Sequence, residues 1–190
     1  MDGVRVVKQS WQMWQGAIPA NSCNNMIYDL KQLPPIQATT FNQEDASQEN
    51  QHRSSIVRWV EDPEIRNILW WHVQEANRLA FGLDVQNVGS VQFTEYRASQ
   101  AAHYHWHHDV DWTATTAYDR KISVVLQLSD PSSYEGGDFQ FNEVESPAPD
   151  QLKTKGTILC FPSVLQHRVS PVTKGTRYSL VSWFEGPRWR

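Results

Sequence analysis

SVQFTEYR (90–97), HYHWHHD (103–109), KISVVLQLS (121–129), GDFQF (137–141), GTILCFP (156–162), HRVSP (167–171) and TRYSLVSWF (176–184) follow one another along the chain. Each is short, rich in β-branched or aromatic residues, and bounded by turn residues, the pattern of β-strands. About seven or eight antiparallel strands of this length suit a double-sheet jelly roll, which can enclose a ligand cavity.

Upstream the texture changes. In DPEIRNILWWHVQEANRLAFG (62–82), Asp62 is placed to cap a helix, Pro63 to begin it and Gly82 to stop it. Ile65, Ile68, Leu69, Val73, Ala76 and Leu79 fall at helical spacing, and Trp70 and Trp71 are expected to pack this helix on the sheet. NSCNNMIYDLK (21–31) reads as a short helix capped by Asn21 or Ser22, VRVVKQSWQMW (4–14) as a strand, and IVRWV (56–60) as a short apolar run. The polar stretch QATTFNQEDASQENQHRSS (37–55) has no periodicity and reads as a mobile loop. Helices before strands give an α+β class, a jelly roll with supporting N-terminal helices. One domain is expected over 1–190, with 1–88 as helical or irregular support and 89–190 as the jelly-roll core.

The composition narrows the function classes. A net charge of −4 and a pI near 5.9 give no basic footprint for nucleic acid and no polybasic membrane signal. No apolar run spans a bilayer and the N-terminus lacks a secretory h-region, so an intracellular, cytoplasmic protein is expected, and the compact size suits a bacterial or phage origin. Cys23 and Cys160 follow no metal or redox spacing. Nine tryptophans point to an aromatic core or cleft.

HYHWHHDVDW (103–112) concentrates four histidines and two aspartates. Alternate residues on a strand share a face, so His107 and Asp109 point together while His108 points away and packs on the outer face. His103 and His105 are expected on the inner face. His167 is the one histidine after residue 108, and it completes a set of two imidazoles and one carboxylate. Such a set leaves open positions and suits non-heme iron(II) oxygenases. Asp111 is the alternative carboxylate, at a spacing from His107 that fits less well, and Trp112 reads as a loop residue. Ten residues beyond His167, after the turn-rich SPVTKG, comes Arg177; the two flanking strands are expected to pair as a hairpin. An arginine among apolar residues needs an internal carboxylate, from the protein or from a ligand such as 2-oxoglutarate, which its fork grips at both oxygens. Gly136 and Gly137 suit a tight turn or a close strand approach, and His52 and His72 read as structural or exposed.

YHWHHD, KISVVLQLSDPSSYEGGDFQF and KGTILCFPSVLQHRVSPVTKGTRYSLVSWFEGP resemble the catalytic core of the prolyl 4-hydroxylase-like iron(II)/2-oxoglutarate oxygenases, most of all the small bacterial and phage-type members. The resemblance covers 89–187. It implies a double-stranded β-helix (jelly roll, cupin-like) and a catalytic core that turns 2-oxoglutarate, dioxygen and a substrate into succinate, carbon dioxide and the hydroxylated substrate, with ascorbate as a further cofactor and no catalytic group beyond the metal ligands. It implies metal ligands at His107, Asp109 and His167, and co-substrate contacts at Arg177, Tyr104 and Gln127. Substrate contacts fall on Arg120 and Trp183. Strict alternation sets Tyr104 opposite His107 unless a bulge intervenes, and Phe139 stands where the family places a hydroxyl residue. The expected substrate is a peptidyl proline; a small molecule, free amino acid or nucleobase is the alternative within the same chemistry. A non-catalytic, cupin-like metal-binding module is the alternative outside it.

Overall fold

The computed structural model describes residues 9–38 and 52–189. In chain order the strands are β1 (Gln12–Trp14), β2 (Ile36–Gln37), β3 (Arg53–Ser54), β4 (Ile56–Val60), β5 (Val91–Arg97), β6 (His103–His107), β7 (Tyr118–Gln127), β8 (Tyr134–Gly136), β9 (Phe139–Phe141), β10 (Ile158–Pro162), β11 (His167–Val169) and β12 (Val172–Pro187). The α-helices are α1 (Ala20–Leu30), α2 (Pro63–Ala76) and α3 (Pro149–Lys153). One antiparallel sheet runs β1-β10-β7-β12-β5-β4-β2, with β8 also paired to β12; the other runs β3-β6-β11-β9.

Inner and outer residues alternate along the long strands, and all of KISVVLQL is buried because both faces of the large sheet are covered. Ile122, Val124 and Leu126 of β7 join Phe93, Ile158, Leu180 and Phe184 in a core with Leu69 and Val73 of α2. Val125 faces the other way, into a second core of Leu159, Phe161, Phe139, Phe141 and Val169 drawn from both sheets. The site described below opens from that inner core.

α2 begins as its sequence dictates. The Asp62 carboxylate accepts from the Glu64 and Ile65 amides, and the last turn ends at Gly82 in the left-handed region. That turn is π-helical over Asn77–Phe81, which carries Leu79 out to the surface. Trp70 packs on Phe184, whereas Trp71 is 55% exposed. α1 starts after Pro19 with no side-chain cap, so neither Asn21 nor Ser22 caps it.

Three expectations meet a different arrangement. Residues 4–8 and 39–51 lie outside the described residues, but Arg53 and Ser54 of the expected loop form β3, paired to β6. The hairpin between His167 and Arg177 is absent. β11 pairs with β6 and β9, while β12 pairs with β5, β7 and β8. The SPVTKG link is itself extended: Val172–Gly175 runs along β8 and carries the chain from one sheet to the other. Gly175, at φ 69°, bends there, where a Cβ would meet Ser133 O at 2.1 Å. Among the described residues no helix is long and apolar enough to cross a membrane.

Candidate active site

Two strands of the small sheet supply the imidazoles. His107 ends β6 and pairs across with His167 at the start of β11. The next pair is Val169 with Tyr104, so β6 carries one extra residue in between, a β-bulge. The bulge reverses the alternation, and Tyr104 stacks on the His107 ring with centroids 3.4 Å apart and planes 12° apart. It also turns His105 out into solvent, against His103 and His52, in place of the inner face expected of His103 and His105.

Asp109 lies two residues past β6. Its amide donates to Ser163 O at 3.1 Å, and its carboxylate accepts from Ser123 Oγ at 2.6 Å. Ser123 faces inward from the centre of β7, a role readable only from its parity in an apolar run. The Asp109 oxygens lie 3.6 Å from His107 Nε2 and 3.6 Å from His167 Nε2. His107 Nδ1 is 2.7 Å from His105 O and His167 Nδ1 is 2.9 Å from Leu165 O. A carbonyl only accepts, so each Nδ1 carries the proton and each Nε2 lone pair is left facing the carboxylate.

Three acceptors thus converge, with ligand atoms within 4.8 Å of one another. This donor set fits a divalent cation with open coordination positions. Burial, followed by the neighbouring His107, pushes His167 down to about 4, so its imidazole is neutral at neutral pH, as metal ligation requires. Burial alone would raise the Asp109 carboxyl, but His167 and His107 outweigh it and hold the group well below the usual carboxylate range. Asp111 takes no part: its carboxylate accepts from Thr113 in a surface turn. His108 points away, with Nδ1 2.8 Å from Val164 O.

Arg177 enters from the opposite sheet. It is 4% exposed and lines one cavity with His107, Asp109 and His167, walled by Val125, Phe139 and Val181. Its guanidinium lies over Tyr96 at 5.5 Å and donates to Ser179 Oγ at 3.4 Å. Among the described residues no ion pair involves it, although Asp138 borders the adjoining cavity with it and feels its charge. Gly137 makes room for it; a Cβ there would stand 2.9 Å from Arg177 Cδ. Gln127 is placed differently. It lines a smaller adjoining cavity behind Arg177 and donates to Tyr134 Oη at 3.1 Å.

On the other side the triad opens into a cavity of about 180 Å³ bordered by Arg53, Gln92, Tyr104, Asp109, Arg120 and Trp183. Arg120 lies over Trp183 at 4.1 Å and Arg53 over Tyr104 at 4.5 Å. Burial pushes the Tyr104 phenol up to about 12, which keeps it an O–H donor. Trp112 is 62% exposed in the following loop. Arg53 and Gln92 had no signal in the sequence. One sat in a stretch read as loop, and the other is one of several polar residues of β5, whose facing its register fixes.

The family profile of the 2OG-Fe(II) oxygenase superfamily matches residues 91–185, half of the chain. The chain belongs to the 2OG-Fe(II) oxygenase superfamily. Iron(II) and 2-oxoglutarate are the cofactor and co-substrate that this membership implies. A PKHD-type hydroxylase of Synechococcus sp. (strain CC9311) is 42% identical over 64 residues, 34% of this chain and 29% of the relative. One from Gloeothece citriformis (strain PCC 7424) is 28% identical over 135 residues, 71% of this chain and 56% of the relative. The matches thus span less than two thirds of either relative. Among solved structures, a Pseudomonas putida prolyl-4-hydroxylase aligns with TM-score 0.68 at 20% identity, covering 95% of this chain and 94% of that one. A Trichoplax adhaerens prolyl hydroxylase, solved with a hypoxia-inducible-factor peptide, aligns with TM-score 0.70 at 14% identity, covering 92% and 83%. These likenesses establish the double-stranded β-helix.

Proposed function

We propose that this oxygenase hydroxylates a C–H bond of a peptidyl proline, with His107, Asp109 and His167 holding iron(II) and Arg177 gripping the far carboxylate of 2-oxoglutarate. One observation carries the reading: a buried guanidinium in no ion pair among the described residues shares a cavity with two lone-pair Nε2 atoms and a carboxylate. In this superfamily the iron and the 2-oxo acid together supply the oxidising power for the hydroxylation.

The chain's own residues position and protect. The carbonyls of His105 and Leu165 fix the tautomers of His107 and His167, and Ser123 fixes one Asp109 oxygen. The aromatic and aliphatic walls exclude water, which strengthens the grip of Arg177 on a carboxylate. Tyr104, a neutral phenol, adds a donor beside the metal ligands. Trp183, which borders both cavities, and Arg120 in the outer one are the substrate contacts of this reading, and Gln127 supports the co-substrate end through Tyr134. Residues 89–190 form the catalytic core and 1–88 its support within one domain. Ascorbate serves as an auxiliary reductant, and a peptide or protein is the partner.

Purified protein given iron(II), 2-oxoglutarate and proline-containing peptides is expected to produce succinate and a peptide with one added oxygen, read by mass spectrometry. Succinate formation with no oxygen added to any proline peptide moves the substrate to a small molecule. Metal binding without succinate formation leaves only a metal-binding module.

A further inference from the structure

We infer that the substrate of this site carries a carboxylate close to the carbon that is oxidised, and that Arg53 and Arg120 receive it in the outer cavity. The inference rests on the oxygenase reading above and adds the charge of the substrate to it.

A divalent cation is balanced by a dianionic 2-oxo diacid, and Asp109 is the strongest of the charges acting on Arg120. Arg53 and Arg120 both line one cavity of about 180 Å³. Asp109 is the one acidic side chain bordering that cavity among the described residues, and its oxygens already face His107, His167 and Ser123. Glu185 is the cross-strand partner of Arg120 and acts on its charge. With Asp109 and Glu185 set against Arg120, Arg53 is in no ion pair among the described residues.

Arg53 is 6% exposed, and its partners are neutral: Ser55 Oγ at 3.0 Å, Gln92 Oε1 at 2.7 Å and the face of Tyr104. A buried cation held only by neutral groups keeps much of its desolvation cost until a counter-charge arrives. The two guanidiniums also act on each other. Burial, with a small addition from Arg53, pushes Arg120 below the usual arginine value against the opposing effects of Asp109, Tyr104 and Glu185. An anion between them relieves both.

Trp183 supplies an independent pointer. Its Nε1 is buried with no hydrogen-bond partner, and its ring borders both cavities. A buried donor of this kind is costly unless an acceptor fills the site. Two guanidinium forks and an indole N–H make a receptor for an oxyanion, and carboxylate is the group a guanidinium fork fits at two oxygens. The apolar side of the cavity, Val57 and Trp59, is left for a ring or an aliphatic segment.

The test is a binding series on wild-type protein loaded with manganese(II) and 2-oxoglutarate under argon, read by calorimetry. The probes are blocked Gly-Pro-Gly amide, the same peptide with Asp, Lys or phosphoserine beside the proline, the peptide with a free α-carboxylate, and free proline. The carboxylate-bearing probes are expected to bind at least about tenfold more tightly than the blocked amide and to weaken as salt rises. The tighter of the Asp peptide and the free α-carboxylates tells a side-chain carboxylate from a terminal one. Arg53→Gln is expected to erase the preference for carboxylate and Arg53→Lys to keep part of it, with circular dichroism checking the fold. If either variant unfolds, the wild-type series decides. Equal or tighter binding of the amide or lysine probes, or no binding by any carboxylate probe, overturns the inference. Tighter binding of the phosphoserine peptide overturns the choice of carboxylate. Conversion of 2-oxoglutarate to succinate without substrate is measured separately, so a failure of the oxygenase reading shows there and not in the binding series.

Discussion

At the inner end of the site, His167 is ringed by Phe161, Phe139 and Phe141, with centroids at 4.8, 5.2 and 6.4 Å. At the mouth, Arg53 and Arg120 lie on the faces of Tyr104 and Trp183. Both regions pair a functional group with aromatic rings, but to different ends. Inside, rings enclose a neutral imidazole whose tautomer a backbone carbonyl already fixes, so the ligand is locked and dry. Outside, rings support cations that border an open cavity. The inner end is built for one geometry, and the mouth for a class of ligand.

The hardest way to break this contrast is to remove an inner ligand. Asp109→Ala or His167→Ala is expected to lower manganese(II) affinity by more than about a hundredfold, since the loss of a supporting partner alone costs about 10–100-fold; equilibrium dialysis reads it. Next, Phe161→Ala removes a fully buried ring from the inner core. It is expected to cost roughly 3–5 kcal/mol in chemical denaturation and to loosen metal binding as well, whereas Trp59→Ala at the exposed rim leaves both nearly unchanged. Arg177→Met is expected to weaken 2-oxoglutarate by roughly 2 kcal/mol or more, at least about thirtyfold, because it strands a buried carboxylate. Metal affinity in that variant should hold, which separates the two ends of the inner cavity.

A smaller effect belongs to the outer face of the large sheet. Glu95 is buried between Arg58 and Arg97 at 2.9 and 2.7 Å. Burial pushes its carboxyl up, but the two arginines more than offset this and hold it below the usual glutamate value. A depressed folded-state value means that the unfolded chain takes up the proton first as pH falls. The stabilisation is therefore complete above the ordinary glutamate range and is lost as pH drops through and below it. Denaturation midpoints measured against pH should show this loss in the wild type and a flatter acid limb in Glu95→Gln.

Much of this molecule was legible before any coordinates. Short-range chemistry was plain: Asp62, Pro63 and Gly82 mark α2, and His107, Asp109, His167 and Arg177 stand out by residue type and spacing. What escaped depends on register and on which sheet a strand joins. One extra residue in β6 decides that Tyr104 faces inward and His105 outward, and nothing local announces it. The path from His167 to Arg177 reads as a turn, yet Val172–Gly175 pairs with β8 because closing the sandwich needs the chain to change sheets. Arg53 was hidden for a similar reason: two residues of strand at the end of a polar stretch have no period to read.

A crystal structure with manganese(II) and 2-oxoglutarate bound tests the central claim most directly. The account predicts an anomalous peak bonded to His107 Nε2, His167 Nε2 and an Asp109 oxygen, with the far carboxylate of the co-substrate on the Arg177 fork. Metal seated instead among His52, His103 and His105, or a co-substrate carboxylate that leaves Arg177 untouched, would contradict it.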